Sequence, residues 1–190
     1  ELYRPPFKTI VSYDIDMAWS YKNKGILRNI GGFVRKPSIE RLKVLWGIRK
    51  DPFDIFDLMD TQNQKNKFET IYFFLVAKSL GEYDKNISPR NKFMRKLINQ
   101  IASSYNIGLH PSWASNLNPL LLNEEKRELE RICKKAITNS RQHYIKLNIP
   151  ETYRILIKNE INNDFSMGYG NINGFRASVA SSFFWFDFLL

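Results

Sequence analysis

The sequence predicts an α/β fold in which a parallel sheet is covered by helices. Three observations lead there. Short apolar runs over 8–13 and 70–77 are continuous rather than alternating, as in strands buried on both faces. Stretches with helical spacing separate the strands. Polar residues gather where the strands end, which is where βα architectures keep their chemistry.

The elements follow in order. Lys8-Thr-Ile-Val-Ser-Tyr13 reads as a buried strand running into Asp14-Ile15-Asp16. Residues 17–50 read as basic and irregular, with Gly31-Gly32 as a breaker and helical spacing over 38–48. Asp51-Pro52 opens a short helix that packs Phe53, Phe56, Leu58 and Met59. Thr70 to Ala77 is the second strand. A helix over 89–104 repeats Phe93, Leu97, Ile101 and Tyr105 on one face. Ile107-Gly-Leu109 is a short strand ending at His110. Asn123 caps the next helix, with Glu124 and Glu125 in its first turn, and Leu129, Ile132, Cys133 and Ala136 are buried. A strand toward Ser140, a helix over 150–159 and a strand end at 163–166 follow. Gly168, Gly170 and Gly174 form a loop, and 183–190 is an apolar, strand-like run.

Composition bounds the function. The 190 residues fit one domain, 1–190, and 43% hydrophobic content supplies a core. Cys133 is the only cysteine, so no internal disulfide forms, which leaves the compartment (cytoplasm or cell envelope) open. No run is long enough for a transmembrane helix. The first seven residues lack the pattern of a signal peptide. The net charge of +10 suits a polyanion (nucleic acid, acidic glycan or a membrane surface), and equally a solvated surface with a basic bias. No nucleic-acid-binding motif is present, so nucleic acid is the weakest of these. The oligomeric state is not encoded in any visible pattern.

The two histidines carry the most information. His110 sits in Asn-Ile-Gly-Leu-His-Pro-Ser (106–112) and His143 in Ser-Arg-Gln-His-Tyr (140–144). Two carboxylates and two imidazoles suffice to hold one divalent metal and leave a base beside it. The residues alone leave blander readings open. A strand-end Asp pair also caps turns, a histidine beside proline also fills loops, and Arg141 beside His143 also makes a surface pair.

Five segments in order resemble the NodB-type polysaccharide deacetylases, carbohydrate esterase family 4. Val11-Ser-Tyr-Asp-Ile-Asp16 resembles the family's Thr-Phe-Asp-Asp motif, and Thr70 to Val76 the Ala-Thr-Phe-Phe-Val strand. Asn106 to Ser112 resembles the Glu-Ile-Gly-x-His segment, and Ser140 to Tyr144 stands in the place of Arg-x-Pro-Tyr. Asn163-Asp-Phe-Ser166 resembles the next strand end, Asp-Ser-Ser. The resemblance implies a distorted (β/α) barrel of about seven strands and metal-dependent removal of acetyl groups from N-acetylated sugars of a bacterial polysaccharide.

The resemblance implies roles as well. Asp16, His110 and His143 would ligate a divalent metal, zinc first among candidates, with His143 replacing a second-motif histidine whose place falls on Ala114. Asp14 would be the catalytic base, with Arg141 completing the catalytic set by a bidentate contact to it. Trp19, Ser112, Trp113, Tyr144, Asp164 and Arg176 would face substrate, with a buried core an equally good place for Trp19 and Trp113 and with Asp187 an alternative partner for Arg176. The family's late histidine, a general acid, has no counterpart after His143. Either the natural chain continues past Leu190 and this barrel is truncated, or that motif is lost. The rival reading is a non-catalytic glycan-binding module on the same fold.

Overall fold

The structure, a computed structural model, describes residues 8–187. Five parallel strands lie in the order of the chain: β1 (Ile10–Ile15), β2 (Glu69–Phe74), β3 (Asn106–Leu109), β4 (Asn139–Ser140) and β5 (Asn163–Asp164). They curl into a half-barrel, so five strands stand among the described residues where about seven are expected. Sequential parallel order needs a crossover after every strand. Six helices among the described residues supply them: α1 (Ile26–Arg35), α2 (Ile39–Leu45), α3 (Phe56–Asn66), α4 (Lys92–Ser104), α5 (Pro119–Cys133) and α6 (Glu151–Lys158).

Tyr72, Phe73 and Phe74 of β2 are all buried, and so are Leu75 and Val76 beyond it. That is why this segment reads as an unbroken apolar run. Its register pairs Asp14 with Phe73 and Phe73 with Gly108. Gly108 has to be a glycine, since a Cβ there would lie 2.4 Å from the Phe73 ring. One side of the sheet packs on α4 and α5 through Met94, Leu97, Ile98, Ile101, Leu122, Leu129 and Ile132.

Several expectations are corrected. The segment 26–35 is helical through both glycines. Ile26, Ile30, Phe33 and Val34 recur at helical spacing, and Gly32 leaves room for the Arg41 guanidinium, which a Cβ would meet at 2.6 Å. α3 extends well beyond Met59, to Asn66. In α4, Phe93 is exposed and the buried face is Met94, Leu97, Ile98, Ile101 and Ala102. α5 starts well before Asn123, capped by the Asn118 side chain, which accepts from the Leu121 N–H at 3.1 Å, with Pro119 following the cap. Ala136 is exposed and Ile137 takes the core position. Residues 183–187 form no strand, while 188–190 and the N-terminal 1–7 lie outside the described residues.

Candidate metal centre

The site lies past the C-terminal ends of β1, β3 and β4. Successive backbone bonds carry the sheet's order into it: His110 N–H donates to Phe74 O at 3.0 Å and Arg141 N–H to Leu109 O at 3.0 Å. The strands thus deliver Asp14, Asp16, His110, Arg141 and His143 to one end of the sheet.

His110 Nε2 lies 3.1 Å from Asp16 Oδ1, and His143 Nε2 lies 3.7 Å from Asp16 Oδ2. One ligand atom from each of the three falls within 4.8 Å of the others. Both rings are buried, and each is oriented from behind. His110 Nδ1 lies 2.6 Å from Arg141 O, and His143 Nδ1 lies 3.0 Å from the buried carboxylate of Asp84. A carbonyl or a carboxylate oxygen only accepts, so each Nδ1 carries the proton. In a neutral ring each Nε2 then presents a bare lone pair toward Asp16. Two lone pairs and a carboxylate facing one another fit a divalent cation, and the backing of each ring follows the usual pattern behind metal-bound histidines.

Charge ties the same three groups together when the rings are protonated. Burial works against the charge of Asp16, but hydrogen bonds and charge from His110 and His143 outweigh it and hold its carboxyl well below the usual range. Burial likewise opposes charge on His143, yet the bonds and charges of Asp16 and Asp84 together raise its pKa.

Arg141 joins the two halves of the site. Its carbonyl holds His110, while its guanidinium donates to Asp14 Oδ1 at 3.0 Å, Ser12 Oγ at 2.7 Å and Phe165 O at 3.1 Å. The contact to Asp14 is single, not bidentate, because the other nitrogens serve Ser12 and Phe165. The guanidinium also lies 4.8 Å over the Phe73 ring.

Beside the triad stands an aromatic cluster. Tyr83 stacks on Trp113 at 4.2 Å between ring centres, and Tyr144 sits edge-on to both at 5.7 Å. Tyr144 is 60% exposed, and Lys146 Nζ lies 3.8 Å from the centre of the Trp113 ring. Tyr144 and Ile145 both take positive φ, 57° and 47°. Strained backbone of this kind persists only where surroundings enforce it, commonly at functional sites.

The other expected substrate residues are engaged elsewhere. Trp19 is only 8% exposed and packs edge-on against Phe56, so its ring belongs to the core. Ser112 is buried, its hydroxyl accepting from Ser115 N–H and its N–H donating to Glu125. Asp164 accepts from the hydroxyls of Ser140 and Ser166, and burial raises its pKa. Arg176 donates to Ile145 O at 3.2 Å, and Asp187 pairs with Arg154, not Arg176.

Sequence reasoning missed Asp84, Tyr83, Lys146 and Ser12. Asp84 and Tyr83 lie in the loop after β2, with no periodic or motif signal of their own. Ser12 stands two residues before Asp14 on the same strand face, which is a spacing that could have pointed to it.

A half-barrel of parallel strands with its polar cluster at their C-terminal ends defines a NodB-like α/β fold. Comparison with solved structures supports that class. The chain is similar to the crystal structure of a "putative polysaccharide deacetylase" from Mycobacterium smegmatis, with a TM-score of 0.54 and 12% identity over 88% of this chain. The match spans 54% of that protein, about half its length. No protein-family profile matches the chain, and no curated protein matches it in sequence.

Proposed function

We propose that the protein is a metal-dependent hydrolase that removes acetyl groups from N-acetylated sugars of a bacterial polysaccharide. The observation that carries this reading is the Asp16–His110–His143 triad standing beside an Asp14 held by Arg141. The deacetylase-like fold supports it. A divalent cation at the triad, zinc being a good match to nitrogen and carboxylate donors, supplies Lewis-acid polarisation of the acetamide carbonyl and a more acidic water.

The chain's own residues supply the rest. Asp14 keeps one oxygen on Arg141; its other oxygen makes no hydrogen bond among the described residues and accepts the proton of the attacking water. The carboxyl protonated in that step stands where it can return the proton to the departing amine, giving amine and acetate. Arg141 is a positioning residue: it aims Asp14 and, through its carbonyl, His110. Tyr83 and Tyr144, both exposed, present rings on which a pyranose face stacks, while Trp113, covered by Tyr83 and Lys146, backs them. Arg176 is held on Ile145 O beside Tyr144, so its contact with substrate is indirect.

Acetate release from an N-acetylated chito-oligosaccharide tests the reading, with zinc supplied, with zinc chelated, and with Asp14→Asn. Release that needs both metal and Asp14 is expected. The exposed aromatic cluster favours one second reading, a glycan-binding module without catalysis. Saturable oligosaccharide binding with no acetate released under any divalent metal would establish that reading in place of the first.

A further inference from the structure

The excursion between β1 and α3 is a unit of its own. Asp51 closes its base, accepting from the N–H groups of Ser20, Tyr21 and Lys22 at 2.8, 2.8 and 3.0 Å. Above that clamp, α1 and α2 pack through Arg41, which donates to Asn29 O and lies over the Tyr21 ring. Yet α1 buries no residue at all. Leu27 is 87% exposed, Ile26 78%, Val34 76% and Trp46 72%, and Ile39 and Ile48 are nearly as open. Ile26, Ile30, Phe33, Val34, Leu42 and Leu45 line a groove of about 470 Å³ between the two helices. An apolar surface this continuous marks a docking site on a folded protein.

Charge identifies what docks there. Residues 21–50 hold nine Lys and Arg against one Glu, +8 of the chain's net +10. The other 160 residues are close to neutral. Arg35, Lys36 and Lys43 flank the apolar face and make no ion pair among the described residues. A protein partner of ordinary composition does not call for so one-signed a rim. An apolar helical face rimmed by cations is the chemistry of an interfacial helix, with apolar side chains among acyl chains and cations among phosphates. Among the described residues no helix is long and apolar enough to cross a membrane, so the contact these helices make is peripheral.

We propose that the α1–α2 unit docks the protein on the surface of an anionic lipid bilayer. The unit borders the candidate metal centre: Arg28 donates to Asn86 O at 3.0 Å and to Lys85 O, next to the Asp84 that holds His143. Docking therefore sets the rim of the site beside the headgroups. The proposal stands apart from the hydrolase reading, because the residues it uses are not in the candidate centre.

Sedimentation of the full chain with phosphatidylcholine vesicles, with and without about one-third phosphatidylglycerol, tests it. Binding to the anionic vesicles is expected, weakening as salt rises, with Trp46 fluorescence quenched by brominated lipid and the quenching reduced in Trp46→Phe. Replacing Arg35, Lys36 and Lys43 together by Gln should lower partitioning on the order of 100-fold, each charge contributing roughly five-fold near such a surface. Leu27→Ser with Val34→Ser should also release the protein, and both sites are exposed enough to leave the fold intact. Absence of wild-type binding to anionic vesicles overturns the proposal, as does binding indifferent to both sets of changes. Wild-type dimerisation abolished by Leu27→Ser/Val34→Ser, without lipid binding, overturns it in favour of a second copy in the groove.

Discussion

Replacing Asp84 separates the charge behind His143 from the geometry it enforces. A single oxygen, Oδ1, accepts from both His143 Nδ1–H, at 3.0 Å, and Trp113 N–H, at 2.9 Å. The amide introduced by Asp84→Asn retains an oxygen in that place, so this change keeps both bonds and loses only the charge. Asp84→Ala loses both bonds and orphans two donors in a buried setting. Partners behind a metal-bound histidine contribute about 10- to 100-fold to metal affinity. Asp84→Asn should therefore fall near the lower end of that range and Asp84→Ala at or beyond the upper end. The Ala change should also destabilise the protein by about 2–6 kcal/mol, at roughly 1–3 kcal/mol for each orphaned donor. Isothermal titration of metal-free protein with zinc gives the affinities, and urea unfolding of the same samples gives the stabilities. A folded Asp84→Ala protein that binds zinc within two-fold of wild type would refute the idea that Asp84 orients a metal ligand.

Three further outcomes are expected. Gly108→Ala drives a methyl into the Phe73 ring, 2.4 Å away, and toward Asn139 O, 3.2 Å away, so urea unfolding should show a loss of about 1–3 kcal/mol; an unchanged midpoint would contradict that packing. Glu125 is buried with Oε1 unpartnered among the described residues, and burial raises its pKa above the ordinary value of 4.5. Its stabilising contribution is then complete below the unfolded pKa and declines as pH rises through the folded one, so Glu125→Gln should match or exceed wild type in thermal melts at pH 8 and lose that advantage at pH 4; the opposite order would contradict the assignment. Arg141→Lys supplies a point charge where three directed bonds reach Asp14, Ser12 and Phe165, and kcat for acetate release should drop about 10- to 100-fold with KM little changed. A change confined to KM would mean that Arg141 acts on substrate and not through Asp14.

The strands and their ends were legible because each carries its own signal. A continuous apolar run announced β2, and a short apolar stretch closed by a polar residue announced His110; β1 was found from its β-branched residues, but it is the edge strand among the described residues and only partly buried, not the buried strand expected. The meeting of Asp16, His110 and His143 was legible for a related reason: with two histidines in the chain and an acidic pair at a strand end, few combinations could meet. Helix α1 was not legible, because Gly31-Gly32 weakens its propensity locally while the face that forms it runs from Ile26 to Val34. The start of α5 was lost to a nearer cap signal, Asn123, when the working cap was Asn118 with Pro119 behind it.

Local sequence was thus enough to mark the strands of an α/β fold and the polar residues Asp14, Asp16, His110, Arg141 and His143 at their ends, because strand location and strand-end position are properties of short stretches of chain. How that cluster is aimed came from folding in three dimensions. Asp84 reaches His143 across 59 residues, and Arg141 reaches Ser12 across 129. The same long-range packing turns Trp19 inward, sets Trp113 and Tyr144 beside the site, and leaves the apolar face of α1 uncovered. Those outcomes depend on which surfaces meet after the sheet curls, and no window along the chain holds that information.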